Sequence, residues 1–258
     1  MPWREQASVY PNDRPLVFQV PSESRPQRRA ILGRMSDHTH HTEPMLDESF
    51  WDERYRSSPH VWSGNPNSQL VVEVEGLVPG RALDVGCGEG ADAIWLARRG
   101  WEVVAVDISG VALERAARHA SDIDPVAAAR IEFRRADLLA SPPAPDSFDL
   151  VSAQFMQLPT EPRARLFTAL VASVCAGGTL LIVGHHPSDL ATGVRRPPLP
   201  DLFYTADEVA ELLDDSWAVV VSEARPRPAT TPDGADATVH DAVLRATCTR
   251  GLSGSGQR

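Results

Sequence analysis

Between about residue 46 and residue 250 the chain alternates two textures: short apolar runs, and stretches whose apolar positions recur at helical spacing. Arg81–Val85, Trp101–Val106, Ile131–Arg134, Phe148–Ala153 and Gly178–Val183 read as strands. Their nearly unbroken apolar character is what a parallel sheet covered on both faces requires. Ala91–Arg99 reads as a helix closed by Gly100. Ser109 caps a helix running to about Ala120, and Glu161–Cys175 carries Pro162 in its first turn. Upstream, Leu46–Arg56 is helical in pattern and a second helix opens at Asn65-Pro66. Downstream, Thr205 and Glu208 have capping-box spacing for a helix to about Asp214. Trp217–Glu223 and Thr238–Thr247 then form an antiparallel pair around Pro232-Asp233-Gly234. Regular β–α alternation predicts an α/β fold, a doubly wound and mostly parallel sheet in a single domain.

The ends differ. Residues 1–34 are rich in Pro, Arg, Ser and Gln and predict a disordered extension. The texture changes at Met35, which leaves two candidate translation starts, Met1 and Met35; the intact mass of the native protein would decide between them. Residues 35–80 are assigned to N-terminal helices, 81–250 to the core and 251–258 to a flexible Gly/Ser tail. His38-Thr39-His40-His41 invites a metal, but its setting reads as solvated, and no metal site is predicted.

Composition removes several chemistries. The 258 residues carry a net charge of −10, and all 25 basic residues are arginine. Without lysine there is no Schiff base, no P-loop lysine and no Ser-Lys nucleophile. The acidity argues against sequence-independent nucleic-acid binding. No run approaches the roughly 18 apolar residues of a membrane span. Cys87, Cys175 and Cys248 show no paired spacing, which reads as reduced thiols and a cytoplasmic location.

The first strand ends in Asp84-Val85-Gly86-Cys87-Gly88-Glu89-Gly90-Ala91-Asp92. Gly86-x-Gly88-x-x-Ala91 fits a dinucleotide-binding turn, although a tight ligand-free turn has the same spacing. The acids choose between ligands. A carboxylate about 4 Å from a pyrophosphate costs on the order of 4 kcal/mol at an effective dielectric near 20. A cationic ligand reverses the sign, so Asp84, Glu89 and Asp92 favour S-adenosyl-L-methionine over NAD. Asp107 ends the second strand where an acid accepts two ribose hydroxyls, or alternatively caps the next helix. Asp137 follows the third strand, either beside an adenine or as an ordinary loop acid.

Leu83-Asp84-Val85-Gly86-Cys87-Gly88-Glu89-Gly90, Val106-Asp107, Ala136-Asp137-Leu138, Phe148-Asp149-Leu150-Val151 and Gly177-Gly178-Thr179-Leu180 resemble, in order, the motifs of class I S-adenosylmethionine-dependent methyltransferases. The resemblance implies a Rossmann-like seven-stranded sheet with an antiparallel C-terminal hairpin. It implies that Asp84 and the loop of Gly86, Cys87, Gly88 and Gly90 hold the methionine part of the cofactor. Asp107 and Ile108 would hold the ribose side, Asp137 and Leu138 the adenine, and Gln154 the edge of the transfer cleft.

Trp51, Tyr55 and Trp62 precede the first strand. They serve either as packing for the N-terminal helices or as a lid whose aromatic faces attract a sulfonium, worth roughly 0.5–2 kcal/mol. Such a segment is similar to that of the small-molecule branch related to thiopurine and tellurite-resistance methyltransferases. The acceptor side would hold Gln154, His185 and His186, the last two as candidate bases or as exposed loop residues. Arg195, in Arg195-Arg196-Pro197-Pro198, could recognise an anion or be solvated. Ser152-Ala153-Gln154-Phe155 stands where amino methylation of bases or glutamine would need Asn/Asp-Pro-Pro-Tyr. A small-molecule thiol, amine, hydroxyl or chalcogen is therefore the expected acceptor. The competing readings are an NAD-dependent oxidoreductase and a non-catalytic S-adenosylmethionine-binding protein. Oligomeric state is unreadable.

Overall fold

A computed structural model describes residues 46–196 and 199–251. The expectations for residues 1–34, for Met35, for His38–His41 and for the tail beyond residue 251 lie outside the described residues. Helices α1 (Glu48–Arg56) and α2 (Ser68–Val74) precede the alternating unit. That unit runs β1 (Arg81–Val85), α3 (Ala91–Arg98), β2 (Glu102–Asp107), α4 (Gly110–Ile123), α5 (Pro125–Ala128), β3 (Ile131–Arg135), β4 (Phe148–Gln154), α6 (Thr160–Ser173) and β5 (Val174–His185). Then come α7 (Ala206–Ala210) and the hairpin β6 (Trp217–Thr230) with β7 (Asp236–Cys248). The seven strands lie in the order β3-β2-β1-β4-β5-β7-β6. All neighbours are parallel except β7, which runs antiparallel to β5 and to β6. This is the predicted doubly wound, Rossmann-like sheet.

Apolar strands are buried twice over, and two cores result. One face gathers Leu83, Val85, Val104, Val151 and Ile182 against Leu166, Phe167 and Leu170 of α6. The other gathers Ala82, Val103, Leu150, Leu181 and Val183 against Leu70 and Val74 of α2 and Leu96 of α3. Leu170 is fully enclosed, and truncating such a residue to alanine costs about 2–5 kcal/mol.

Some boundaries differ from the pattern-based expectation for physical reasons. Helix α2 starts at Ser68, not at Asn65-Pro66, because Asp92 Oδ1 accepts the Asn67 N–H at 2.6 Å and holds that residue extended. Helix α7 stops at Ala210 rather than near Asp214. There the Leu212 and Leu213 N–H groups donate three residues back, to Val209 and Ala210, and tighten the turn. The hairpin is longer than expected, since β6 continues through Pro226 and Pro228. An edge strand has no outer partner and tolerates proline. The short α5 was not anticipated; Asp124 caps it through the Val126 and Ala127 N–H groups.

Candidate active site

Parallel strands end together, so β1, β2, β4 and β5 deliver their last residues to one edge of the sheet. In β1 and β4 the register pairs Asp84 with Ser152, and Gln154 pairs with Val183 of β5. Alternation along each strand puts Asp84, Ser152, Gln154 and His185 on the same face, the one covered by α2 and α3. Polar side chains thus replace apolar ones along the carboxyl edge of an otherwise apolar face.

Asp84 is 2% exposed. Its Oδ2 and the Oε1 of Gln154 are buried without a hydrogen-bond partner among the described residues. Burial, with Asp92 and Asp107 nearby, pushes the Asp84 carboxyl well above the usual carboxylate range. Burial also pushes Asp92 up to about 6, and Asp107 upward, in the last case against hydrogen bonds from Ser109, Gly88 and Ile108. Asp107 Oδ2 accepts the Gly88 N–H at 2.9 Å and its Oδ1 accepts the Ser109 N–H at 2.8 Å. The acid thereby ties the loop of β1 to the start of α4. No arginine among the described residues pairs with Asp84, Asp92 or Asp107.

The loop between β1 and α3 needs its glycines. Gly86 has φ +68°, and a Cβ there would lie 2.7 Å from the Sδ of Met156, which follows β4. Gly88 has φ +53°, and its Cβ would lie 2.9 Å from the Tyr55 hydroxyl and 3.1 Å from Trp62 Nε1. The aromatic segment expected to form a lid therefore rests on the glycine loop, with Trp62 Nε1 donating to Tyr55 Oη at 2.9 Å. Trp51 packs in the same cluster as Tyr55, Val61 and Ala112. Phe155 has φ +52°. A phenylalanine held in that region costs on the order of 1–3 kcal/mol, and such residues concentrate at functional sites.

The remaining expected residues differ in exposure and partners. Asp137 is exposed, and its Oδ1 accepts the Leu139 N–H at 2.9 Å, as in an Asx turn. Leu138 and Ile108 are half-buried. Cys87 is buried in the loop, and burial raises its thiol pKa well above the ordinary value. Glu89 was counted among the acids awaiting a cation, but it already has one: Arg115 Nη1 lies 3.0 Å from Glu89 Oε1. His185 is not an exposed loop residue. It is 3% exposed and lies between the rings of Phe155, at 4.7 Å, and Phe203, at 5.9 Å. Burial, then Arg196 and Arg227, hold its imidazole well below the usual histidine range. It is neutral at physiological pH and a poor proton acceptor. His186 is half-buried and caps the following 3-10 turn by accepting the Ser188 N–H. Arg195 is exposed, whereas Arg196 is buried against Asp189.

Sequence reasoning missed Asp52, Asp92's bond to Asn67, Arg115 and Met156, all of which depend on partners in distant elements. Ser109 caps α4 as expected, through the Ala112 N–H. Among the described residues, no cluster of three or more His, Cys, Asp or Glu could hold a metal ion, and no helix is long and apolar enough to cross a membrane.

Residues 82–178 match a family model described as a methyltransferase domain. Ubiquinone biosynthesis O-methyltransferase, mitochondrial, of Schizosaccharomyces pombe is 37% identical over 103 residues, which are 40% of this chain and 36% of that protein. Probable thiol methyltransferase 2 of Arabidopsis thaliana is 30% identical over 147 residues, 55% of this chain and 64% of that one. The chain thus spans less than two thirds of the length of either relative. A solved structure from work on the conversion of a disulfide bond into a thioacetal group during echinomycin biosynthesis has a TM-score of 0.60 at 24% identity. That likeness covers 80% of this chain and 94% of the other, and shows a shared fold. Residues 82–178 are thus similar to a methyltransferase domain.

Proposed function

We propose that the protein transfers the methyl group of S-adenosyl-L-methionine to a small-molecule nucleophile. The observation that carries this reading is the buried Asp84 carboxyl group at the end of β1, whose Oδ2 has no hydrogen-bond partner among the described residues. A cationic amino group is the ligand chemistry such an acid accommodates. The residues present fit the cofactor: Asp84 with the Gly86–Gly90 loop for the methionine part, Asp107 and Ile108 for the ribose side, Asp137 and Leu138 for the adenine. A pyrophosphate would instead be set against Asp84 and Asp92, which disfavours the nicotinamide alternative. That objection now rests on two acids rather than three, because Arg115 neutralises Glu89.

Once bound, the cofactor supplies a sulfonium-activated methyl that the acceptor's lone pair takes by in-line displacement. The chain's part is alignment and enclosure. Alignment alone can supply up to about 7–11 kcal/mol of the barrier. Tyr55 and Trp62 exclude water above Gly88, while Gln154 and Met156 bound the cleft from β4. His185 is neutral and enclosed, so the reading requires no general base and suits a thiol, a chalcogen or another acceptor that sheds its proton readily. The relatives whose names specify small acceptors support the same class. We further propose a cytoplasmic location and no nucleic-acid partner, on the acidity and the cysteine usage.

Isothermal titration with S-adenosylmethionine tests the binding step. Micromolar binding that is lost in Asp107→Ala is expected; absence of binding by the wild-type protein would overturn the reading. Methyl transfer to at least one member of a thiol, amine, hydroxyl and chalcogen panel separates an enzyme from a non-catalytic binding protein.

A further inference from the structure

We propose that Arg115 is a positioning residue: acting with Glu89, it seats the segment from Tyr55 to Trp62 so that the Trp62 indole covers the glycine loop. The role of that cover rests on the methyltransferase reading above. The contacts themselves do not.

Residues Ser57–Asn67 connect α1 to α2 with no regular structure of their own. Such a strap has no ladder to hold it, so its backbone groups must find partners elsewhere. Arg115 of α4 supplies two of them and holds the end of α1 as well. Its Nη2 donates to Tyr55 O at 2.6 Å, and its Nη1 to Ser58 O at 2.9 Å and to Pro59 O at 3.2 Å. The same Nη1 reaches Glu89 Oε1 at 3.0 Å. Glu89 Oε2 in turn accepts the Val61 and Trp62 N–H groups, each at 3.1 Å. One ion pair therefore takes up four backbone groups of the strap and the Tyr55 carbonyl of α1.

Glu89 is also a residue of the glycine loop, between Gly88 and Gly90. The strap and the cofactor loop thus share a carboxylate that is 6% exposed. Trp62 Nε1 and the Tyr55 hydroxyl abut the position a Gly88 side chain would occupy. Displacing the strap moves the Trp62 indole off the loop, while the sheet keeps its own hydrogen bonds. Helix α1 is held independently, since Asp52 Oδ1 accepts the Ser109 hydroxyl at 2.6 Å. Loss of Arg115 should consequently free the strap and leave α1 docked. A guanidinium is needed because its planar fork reaches the carbonyls and the carboxylate together; an ammonium is a single point of donation.

The test uses the full-length protein with S-adenosylmethionine as the probe. Amide hydrogen exchange is measured on the ligand-free protein, and cofactor dissociation by stopped-flow fluorescence, for wild type, Arg115→Ala, Arg115→Lys, Trp62→Phe and the Arg115→Ala/Trp62→Phe double variant. In Arg115→Ala, exchange at Val61 and Trp62 should accelerate strongly while strands β1 and β4 stay protected. Cofactor dissociation should speed up by about tenfold, with association changed far less. Arg115→Lys should recover only part of this. The double variant should dissociate no faster than the slower-binding single variants predict for one shared interaction, that is, the effects should not add. Unchanged exchange at Val61 and Trp62, or fully additive effects on dissociation, would overturn the proposal. If the wild-type protein binds no cofactor, the methyltransferase reading fails; the exchange measurement still decides whether Arg115 seats the strap.

Discussion

Two groups of buried or half-buried acids lie on or against the same sheet and are treated in opposite ways. On the hairpin side each has arginine partners. Asp189 takes two donors of Arg196, at 2.9 and 3.0 Å, Asp241 takes two of Arg227, both at 3.1 Å, and Glu73 lies between Arg225 and Arg245. At the carboxyl edge of β1 and β2, Asp84, Asp92 and Asp107 have backbone donors at best and no arginine among the described residues. Removing a carboxylate from water is expensive, and a pair with good geometry offsets that cost. The hairpin acids are structural by this criterion. The loop acids are held at a cost that a cationic ligand can relieve. Acid content alone therefore does not locate a site; the absence of a counter-charge does.

The largest effect should follow from breaking a complete pair. In Asp189→Ala the Arg196 side chain, 6% exposed, loses its carboxylate, and the His240 N–H loses an acceptor at 2.8 Å. The loss of stability should be about 3–5 kcal/mol in urea unfolding. Cofactor affinity under native conditions should hardly change. A loss below about 1 kcal/mol would show that the hairpin pairs are not what distinguishes the two regions.

Next comes Asp107→Ala, which removes the proposed acceptor for two ribose hydroxyls and the brace between Gly88 and Ser109. Hydrogen bonds to a charged acceptor contribute about 1.5–3 kcal/mol each, so affinity should fall by about a hundredfold or more. Titration calorimetry reads it directly. A change under about threefold would remove Asp107 from the cofactor site.

How far the sequence could be read follows the same division. Loop and acids were legible because each signal is local: glycines where φ is positive, an acid at a strand end, a serine before a helix. That the sheet is mostly parallel followed from β–α alternation with apolar strands. Partnerships between distant elements left no such trace. Arg115 and Glu89 are 26 residues apart, and Asp52 and Ser109 are 57 apart. Neither periodicity nor spacing says which of 25 arginines meets which acid. His185 was ambiguous for a related reason. It ends an apolar strand, and only Phe155 and Phe203, the latter from an irregular segment, decide that it is core rather than loop. The expected strand ended at Glu223, whereas β6 runs on through Pro226 and Pro228 because it is the sheet edge.

A smaller effect should appear in pH dependence. Asp84 and Asp92 are both raised by burial, and Asp92 stands at about 6. Below that range a proton occupies the pair, and a cationic ligand must displace it. Cofactor affinity should therefore climb between about pH 5 and pH 7, by no more than about tenfold per unit, with proton release on binding. Calorimetry in two buffers of different ionisation enthalpy counts those protons. A flat affinity across this range with no proton release would mean that the cofactor does not contact the pair.

The mildest change sharpens the contrast most, because it should move stability and affinity in opposite directions. Asp84 has its folded-state pKa raised above the unfolded value. Its contribution to stability is then fully present below the unfolded pKa, near 4, and is lost as pH rises through the folded pKa. At pH 8 the ligand-free protein bears this cost, and Asp84→Asn removes it while keeping the side chain's shape. The ligand-free variant should gain on the order of 1 kcal/mol at pH 8, about 2–4 °C in melting temperature, and almost nothing at pH 4. S-adenosylmethionine should bind the same variant more weakly than it binds wild type. Thermal melts at the two pH values, with and without the cofactor, give all four quantities. If Asp84→Asn instead destabilised the ligand-free protein at pH 8 as Asp189→Ala should, the carboxylate would be structural like those of the hairpin, and the difference between the two regions would vanish.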